Sequence, residues 1–238
     1  MPRCLRNDPG HAATDRLINE AAVRAQDVVL DVCSGMGGPA RYLAWKTGCR
    51  VTGLDLTASR VEGATELTRL AGLSNSVCFV HGNALDMPFR DASFTLALAQ
   101  ESFAHIPEKP RLLAECARVL QPDGRLVFSD IVHRGNLSVH DAQRLSQGMT
   151  FSEIETLDGY AEQLSLRGMA VVRLFDLTAE WTRILVERHA MYRSLESQTV
   201  ARLGREHFER YDRAYAHFVG LYASGVLAGA LIHAVKGS

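Results

Sequence analysis

The chain has 238 residues, 47% apolar and 22% charged, with 26 Lys plus Arg against 27 Asp plus Glu. This composition excludes a disordered, collagenous or coiled-coil chain, and at about 150 residues per domain it allows one large domain or one and a half. A net charge of −1 gives no whole-molecule attraction to nucleic-acid backbones or anionic membranes, and suggests an enzyme acting on small molecules.

In chain order, the β-branched run Val28–Val32 predicts a strand buried on both faces. Gly35 to Gly38 end it, and Pro39 opens a helix through Trp45. Arg50–Leu54 predicts a second strand, and Thr57 caps a helix that runs to about Ala71 before Gly72. Val77–Val80 and Phe94–Ala99 predict the third and fourth strands. Glu108–Leu120 is helical, with Leu112, Leu113, Cys116 and Leu120 on one face. Gln121–Gly124 is a turn, and Arg125–Val132 a fifth strand. Leu137–Gln147 and Thr156–Arg167 read as helices, Met169–Leu177 as a strand. Thr178 to about Tyr222 is a long helical stretch interrupted near Gly204, and Ala228–Val235 is a final strand.

Alternating strands and helices imply an α/β fold, a parallel sheet with helices on both faces. With no Pro/Gly/Ser linker, the expectation is one domain over 1–238. Its core takes about 8–134, 169–177 and 228–236, with helical cap elements at about 135–168 and 178–224. Five cysteines, an odd number without a CxxC pair, predict neither a disulfide framework nor a zinc site, and no metal is expected. Cys33, Cys49, Cys78 and Cys116 lie in apolar runs and are expected as buried, reduced thiols in a cytoplasmic protein. No apolar run suits a signal peptide or a membrane span.

Ligands of parallel sheets bind beyond the carboxyl ends of the strands, so chemistry-bearing residues are sought there. Asp31-Val-Cys-Ser34-Gly35-Met-Gly37-Gly38 follows the first strand and precedes a helix. Its glycines let backbone N–H groups approach a ligand, beside the positive end of a helix. Asp55 ends the second strand, 20 residues after Gly35, where a carboxylate can accept from a ribose diol. Together they point to an adenosine-containing cofactor. A pyrophosphate would be repelled by Asp31, whereas the ammonium of a methionine moiety would be favoured. At the third strand's end, Asn83 can accept from an adenine amine and the Ala84 N–H can donate to a ring nitrogen, although Asn83 also suits an Asx turn.

Four motifs now stand in order: Asp31 to Gly37, Leu54-Asp55-Leu56-Thr57, Gly82-Asn83-Ala84-Leu85-Asp86-Met-Pro-Phe89 and Arg118-Val-Leu-Gln-Pro-Asp-Gly124. They resemble the successive motifs of class I S-adenosylmethionine-dependent methyltransferases over about residues 8–134. The resemblance implies a Rossmann-like seven-stranded sheet whose last strand is antiparallel, with a helical cap after strand five. It also implies S-adenosyl-L-methionine as cofactor and S-adenosyl-L-homocysteine as product. Cofactor-binding residues are expected at Asp31, Ser34, Gly35, Gly37, Asp55, Leu56, Asn83, Ala84 and Gln100. Asn83 stands where the family often has Asp.

Gln100-Glu101-Ser102-Phe-Ala-His105, after the fourth strand, resembles a segment of sarcosine/dimethylglycine-type methyltransferases. Glu101 and His105 are the catalytic candidates: Glu101 to favour a cationic amine, His105 as a base near neutral pH. Against these stand a structural carboxylate and a packing or capping histidine. His133, Trp181 and Tyr192 are further candidates beside loop or core roles. The arginines between Arg183 and Arg213 alternate with acids and read as a solvated helical face. The expected partner is a small-molecule methyl acceptor, an amine or else a hydroxyl or carbon on a natural product, quinone or sterol. No nucleic acid or membrane is expected, and the chain is a monomer or homodimer. A nicotinamide-dependent oxidoreductase and a non-catalytic ligand-binding module are the competing readings; no Tyr-x-x-x-Lys pair supports the former.

Overall fold

The computed structural model describes residues 9–237. Its strands are β1 (Val28–Val32), β2 (Arg50–Asp55), β3 (Val77–His81), β4 (Phe94–Gln100), β5 (Leu120–His133), β6 (Met169–Asp176) and β7 (Leu227–Lys236). They form one seven-stranded sheet ordered β3-β2-β1-β4-β5-β7-β6. β1 to β5 pair in parallel, and β7 runs antiparallel to both β5 and β6.

The continuous apolar runs follow from burial on both faces. Successive side chains point to opposite sides, so Leu30, Val32, Ala97 and Phe128 enter one core while Val29, Leu96 and Val127 enter another. Helices α1 (Pro9–Glu20) and α2 (Gly38–Thr47) cover the second with Leu17, Ile18, Ala40 and Leu43. Helix α3 (Ala58–Leu70) lies against β2 and β3. On the first face, α4 (Lys109–Val119) and α6 (Leu157–Ser165) supply Leu112, Leu113, Tyr160 and Leu164. Helices α5 (Val139–Met149), α7 (Thr178–Ser194), α8 (Glu196–Leu203) and α9 (Arg205–Ala223) complete the chain. Leu145, Phe151, Phe218 and Tyr222 form a third cluster that reaches Ala104 and Ile131, at the carboxyl ends of β4 and β5.

Several local expectations change. Helix α1 is additional to the predicted elements, its short Leu17, Ile18, Ala21 face seated on the sheet. β5 starts at Leu120, because Leu120 pairs with Phe94 and Arg125 with Leu96. The predicted turn therefore loops out of a strand instead of preceding it. Asp123 has φ +59°, and a Cβ on Gly124 would stand 2.7 Å from the Gln121 carbonyl. The Thr57 hydroxyl makes no capping bond; the first turn of α3 is anchored by the Asp55 carboxylate, which accepts from Thr57 N. The long helical stretch breaks at Leu195 as well as at Gly204. Cys49 and Cys116 are buried, but Cys33 is half-buried and Cys78 exposed; all four are free thiols. Cys4 lies outside the described residues. Among the described residues, no helix is long and apolar enough to cross a membrane.

At the opposite end of the sheet, Asp27 joins four segments. It accepts from Arg24 N at 2.7 Å, Thr95 Oγ1 at 2.8 Å and Arg125 Nη2 at 2.6 Å, and the Arg125 guanidinium also donates to the Ala21 carbonyl. Burial alone would raise the Asp27 carboxyl, but these donors win and hold it below its usual range. Asp27→Ala leaves Arg125 without its carboxylate in a half-buried place. The variant is expected to lose about 2–3 kcal/mol of stability in urea unfolding at pH 7.

Candidate functional site

The strand order β2-β1-β4 sets three carboxyl ends side by side. Asp31 is paired in register with Gly53 on one side and Leu98 on the other, Asp55 ends β2, and Gln100 ends β4. Between β1 and α2 the backbone turns through Cys33 (φ +61°), Gly35 (φ +55°) and Gly37 (φ +72°). Asp55 holds that turn. Its Oδ2 accepts from Gly35 N at 2.8 Å and its Oδ1 from Thr57 N at 2.9 Å. Ser34 N donates to Leu54 O and Gly37 N to Ser34 O, both at 2.9 Å. A Cβ on Gly37 would stand 2.2 Å from the Phe79 ring, whereas one on Gly35 would meet nothing within 4 Å. The loop is thus packed from below and open above Gly35.

Among the described residues, two buried polar atoms at this loop lack hydrogen-bond partners: Asp31 Oδ2 and Ser34 Oγ. Asp31 is 6% exposed. Lost hydration, and then the charge of Asp55, push its carboxyl up to about 7. An acceptor this poorly satisfied suits a cation or a hydrogen-bond donor brought in by a ligand. The ammonium of S-adenosylmethionine meets that requirement, and the open space over Gly35 suits its close approach.

The other expected cofactor residues frame this centre. Leu56 is exposed, and its carbonyl lies 3.0 Å from His81 Nε2. Asn83 Oδ1 accepts from Leu85 N at 2.9 Å: the Asx turn is present and uses one lone pair of that oxygen. Ala84 is buried beside it. Gln100 Oε1 accepts from Thr14 Oγ1 at 3.0 Å, which ties α1 to the end of β4. Thr14 is buried, and its place at the site was invisible without α1.

Beyond β4 the chain bends sharply. Glu101 adopts φ +53°, uncommon for a residue with a side chain, and its N–H donates to Ser129 O at 2.8 Å. Glu101 keeps an exposed surface, yet the atoms crowded around its carboxyl remove hydration and raise it, while the nearby charge of Arg188 opposes that rise. Tyr215 and Tyr222 of α9 lie within reach of the same carboxylate's field. Arg188, on α7, was hidden among surface-patterned arginines. His105 Nδ1 lies 3.0 Å from the Thr150 carbonyl, and its ring packs 4.9 Å from that of Phe151. A carbonyl only accepts, so Nδ1 carries a proton, and in the neutral ring Nε2 is the bare nitrogen. Thr150 Oγ1, 3.4 Å from the same Nδ1, gives its proton to Met149 O.

The remaining candidates stand elsewhere. His133 Nδ1 accepts from Gly135 N and lines a separate cavity of about 530 Å³ with Arg134, Asp158 and Asp176. Trp181 packs against Gly229. Tyr192 stacks on Phe208 at 5.0 Å within the cap.

The sequence profile of a family described as a methyltransferase domain matches residues 30–128. The 27-O-demethylrifamycin SV methyltransferase of Amycolatopsis mediterranei is 30% identical over 204 residues, 82% of this chain and 73% of that one. The chain belongs to the S-adenosylmethionine-dependent methyltransferases. Methyltransferase GfsG of Streptomyces halstedii is 34% identical over 177 residues, 73% of this chain. This methyltransferase chain spans 63% of GfsG, less than two thirds of its length. Its relatives include proteins named as N-, O- and C-methyltransferases. The fold is shared with a candidate sarcosine dimethylglycine methyltransferase from Galdieria sulphuraria, at a TM-score of 0.87, 23% identity and coverage of 94% and 84% of the two chains.

Asp31 makes the ligand-free methyltransferase sensitive to pH. Its carboxyl ionises near 3.8 when unfolded and near 7 when folded. Between those values the folded chain keeps a proton that the unfolded chain has released, so stability falls as pH rises. Asp31→Asn removes this cost. In urea unfolding over a pH series, the variant is expected to match the parent near pH 4 and to exceed it by about 2–4 kcal/mol above pH 7.

Proposed function

We propose that the chain transfers the methyl group of S-adenosylmethionine to a small-molecule acceptor, leaving S-adenosylhomocysteine. The observation that carries this reading is the buried Asp31 carboxylate beside the Gly35–Gly37 loop, whose Oδ2 has no hydrogen-bond partner among the described residues. In this reading Asp31 meets the methionine ammonium, and Ser34, Gly35 and Gly37 cradle the amino-acid portion beside Gln100. Asp55 and Leu56 lie along the ribose, and Asn83 and Ala84 along the adenine. The bound cofactor supplies a methyl group on a positively charged sulfur, an already activated leaving group.

The protein's own work is then placement, exclusion of water and control of one proton. The cap carries Arg188 and Tyr215 over the end of β4, where Glu101 sits. A carboxylate there favours a cationic amine, which is the first reading of the acceptor. A protonated amine must lose a proton before it attacks, and His105 Nε2 is free to accept it. The same bare nitrogen favours a hydroxyl as the second reading. Repulsion between Asp31 and a pyrophosphate counts against a nicotinamide cofactor. The free thiols and near-neutral charge support a cytoplasmic enzyme without nucleic-acid or membrane partners, as a monomer or homodimer.

Titration calorimetry with S-adenosylhomocysteine tests the cofactor role. The ammonium favours ionised Asp31, so affinity is expected to fall below about pH 7, by up to tenfold per unit, and to level off above it. A pH-independent affinity removes Asp31 from the contact. Asp55→Ala is expected to weaken binding by about 1.5–3 kcal/mol. Turnover of methyl-labelled cofactor with amine and hydroxyl acceptors separates the two acceptor readings. With a competent acceptor, His105→Ala is expected to slow transfer by about 10²–10⁴-fold, and an undiminished rate excludes His105 as the base.

A further inference from the structure

The turn that carries His105 rests on buried charged groups. Asp130 and Tyr160 are both 0% exposed. Tyr160 donates its hydroxyl proton to Asp130 Oδ2 at 2.7 Å, and Asp130 Oδ1 accepts from Ala104 N at 3.2 Å. On the other side, the fully buried Lys109 donates from Nζ to Ile106 O at 2.6 Å and to Glu153 O at 2.8 Å. The gap between the two anchors is bridged by backbone. Ser152 N and Glu153 N both donate to Ala104 O, at 2.9 and 3.2 Å, and Ser152 Oγ donates to His105 O at 2.9 Å.

Apart from the Tyr160–Asp130 bond, every one of these bonds ends on the 104–106 turn or on the 150–153 segment. Those two segments also hold the two ends of the contact from His105 Nδ1 to Thr150 O. A slip of either one by an ångström would cost that hydrogen bond its geometry, and a neutral imidazole without it exchanges between two tautomers. Burying a lysine and an aspartate is expensive unless each is fully bonded. Here the bonds they make fix one geometry.

We propose that Asp130, Tyr160 and Lys109 are positioning residues that hold His105 in the tautomer with Nδ1 protonated and Nε2 bare. The proposal rests on the reading of His105 as the base, but its test does not. Nitrogen-15 NMR of the histidine side chains in the full-length protein, above the pH at which His105 is charged and assigned with His105→Gln, reads the tautomer directly. In the parent, His105 is expected to show a pyrrole-like Nδ1 and a pyridine-like Nε2. In Tyr160→Phe and in Lys109→Met, both resonances are expected to move toward the averaged positions of exchanging tautomers. Unchanged S-adenosylhomocysteine affinity shows that each variant is folded. If Lys109→Met fails to fold, Tyr160→Phe, which deletes one oxygen, decides alone. Parent-like His105 resonances in a variant that binds S-adenosylhomocysteine normally overturn the proposal. If the tautomer shifts but His105→Ala transfers methyl groups at the parent rate, the positioning stands and the base assignment falls.

Discussion

Two carboxylates stand at the ends of neighbouring parallel strands, and the rest of the site depends on how differently they are satisfied. Asp55 is used by the fold: both its oxygens accept loop N–H groups, one from Gly35 and one from Thr57. Asp31 is left over, buried, with an oxygen that has no hydrogen-bond partner among the described residues. Had both been satisfied internally, the loop would be a structural turn without chemical demand. Had neither been, the glycine backbone would lack the anchor that opens Gly35 to the surroundings. The asymmetry stores an unfavourable interaction in the empty chain, one that a cation relieves.

That asymmetry follows from sheet order. The strand order reverses between the parallel strands β1 and β4, so the loop after β1 sits at a switch point with β2 on one side and β4 on the other. The same order places Gln100 next to Asp31 and lets α1 reach down through Thr14. β6 ends, and antiparallel β7 begins, on the side where β5 ends, so the α7 to α9 segment between them is held at the strands' carboxyl ends. The glycine loop and the α7–α9 helices thus stand at one end of the sheet, although Gly35 and Arg188 lie far apart in sequence.

Much of this was legible in the residues and some was not, for identifiable reasons. The strands read clearly because continuous β-branched runs have no other stable use in a doubly covered sheet. The loop and its carboxylate read clearly because their spacing is local to one strand-turn-helix unit. Helix α1 did not, because its short apolar face has meaning only against the sheet. The bulge at Gln121–Gly124 looked like an ordinary turn, since turn residues inside and before a strand have the same chemistry. Thr14 and Arg188 reach the site by tertiary placement alone. Nor did the apolar alternation separate Asp130 and Lys109 from surface charges. Only the fold shows them buried and bonded to the His105 turn.

The site thus has two halves with different physical bases. The first is built by one contiguous stretch from Asp31 to Asp55, and its energetics are those of a few backbone N–H groups and two acids. The second is assembled from the β4 end, the 150–153 segment and helix α9, held by aromatic packing from Phe151 through Phe218 to Tyr222. Substitutions in α9 can reshape the second half without touching the bonds that hold the glycine loop. What they cannot freely change is the 104–106 turn, because its backbone groups are already claimed by Asp130, Lys109 and Ser152. Change in α7 to α9 and change at the 104–106 turn are thus physically separate: the first alters side-chain packing, the second breaks backbone hydrogen bonds.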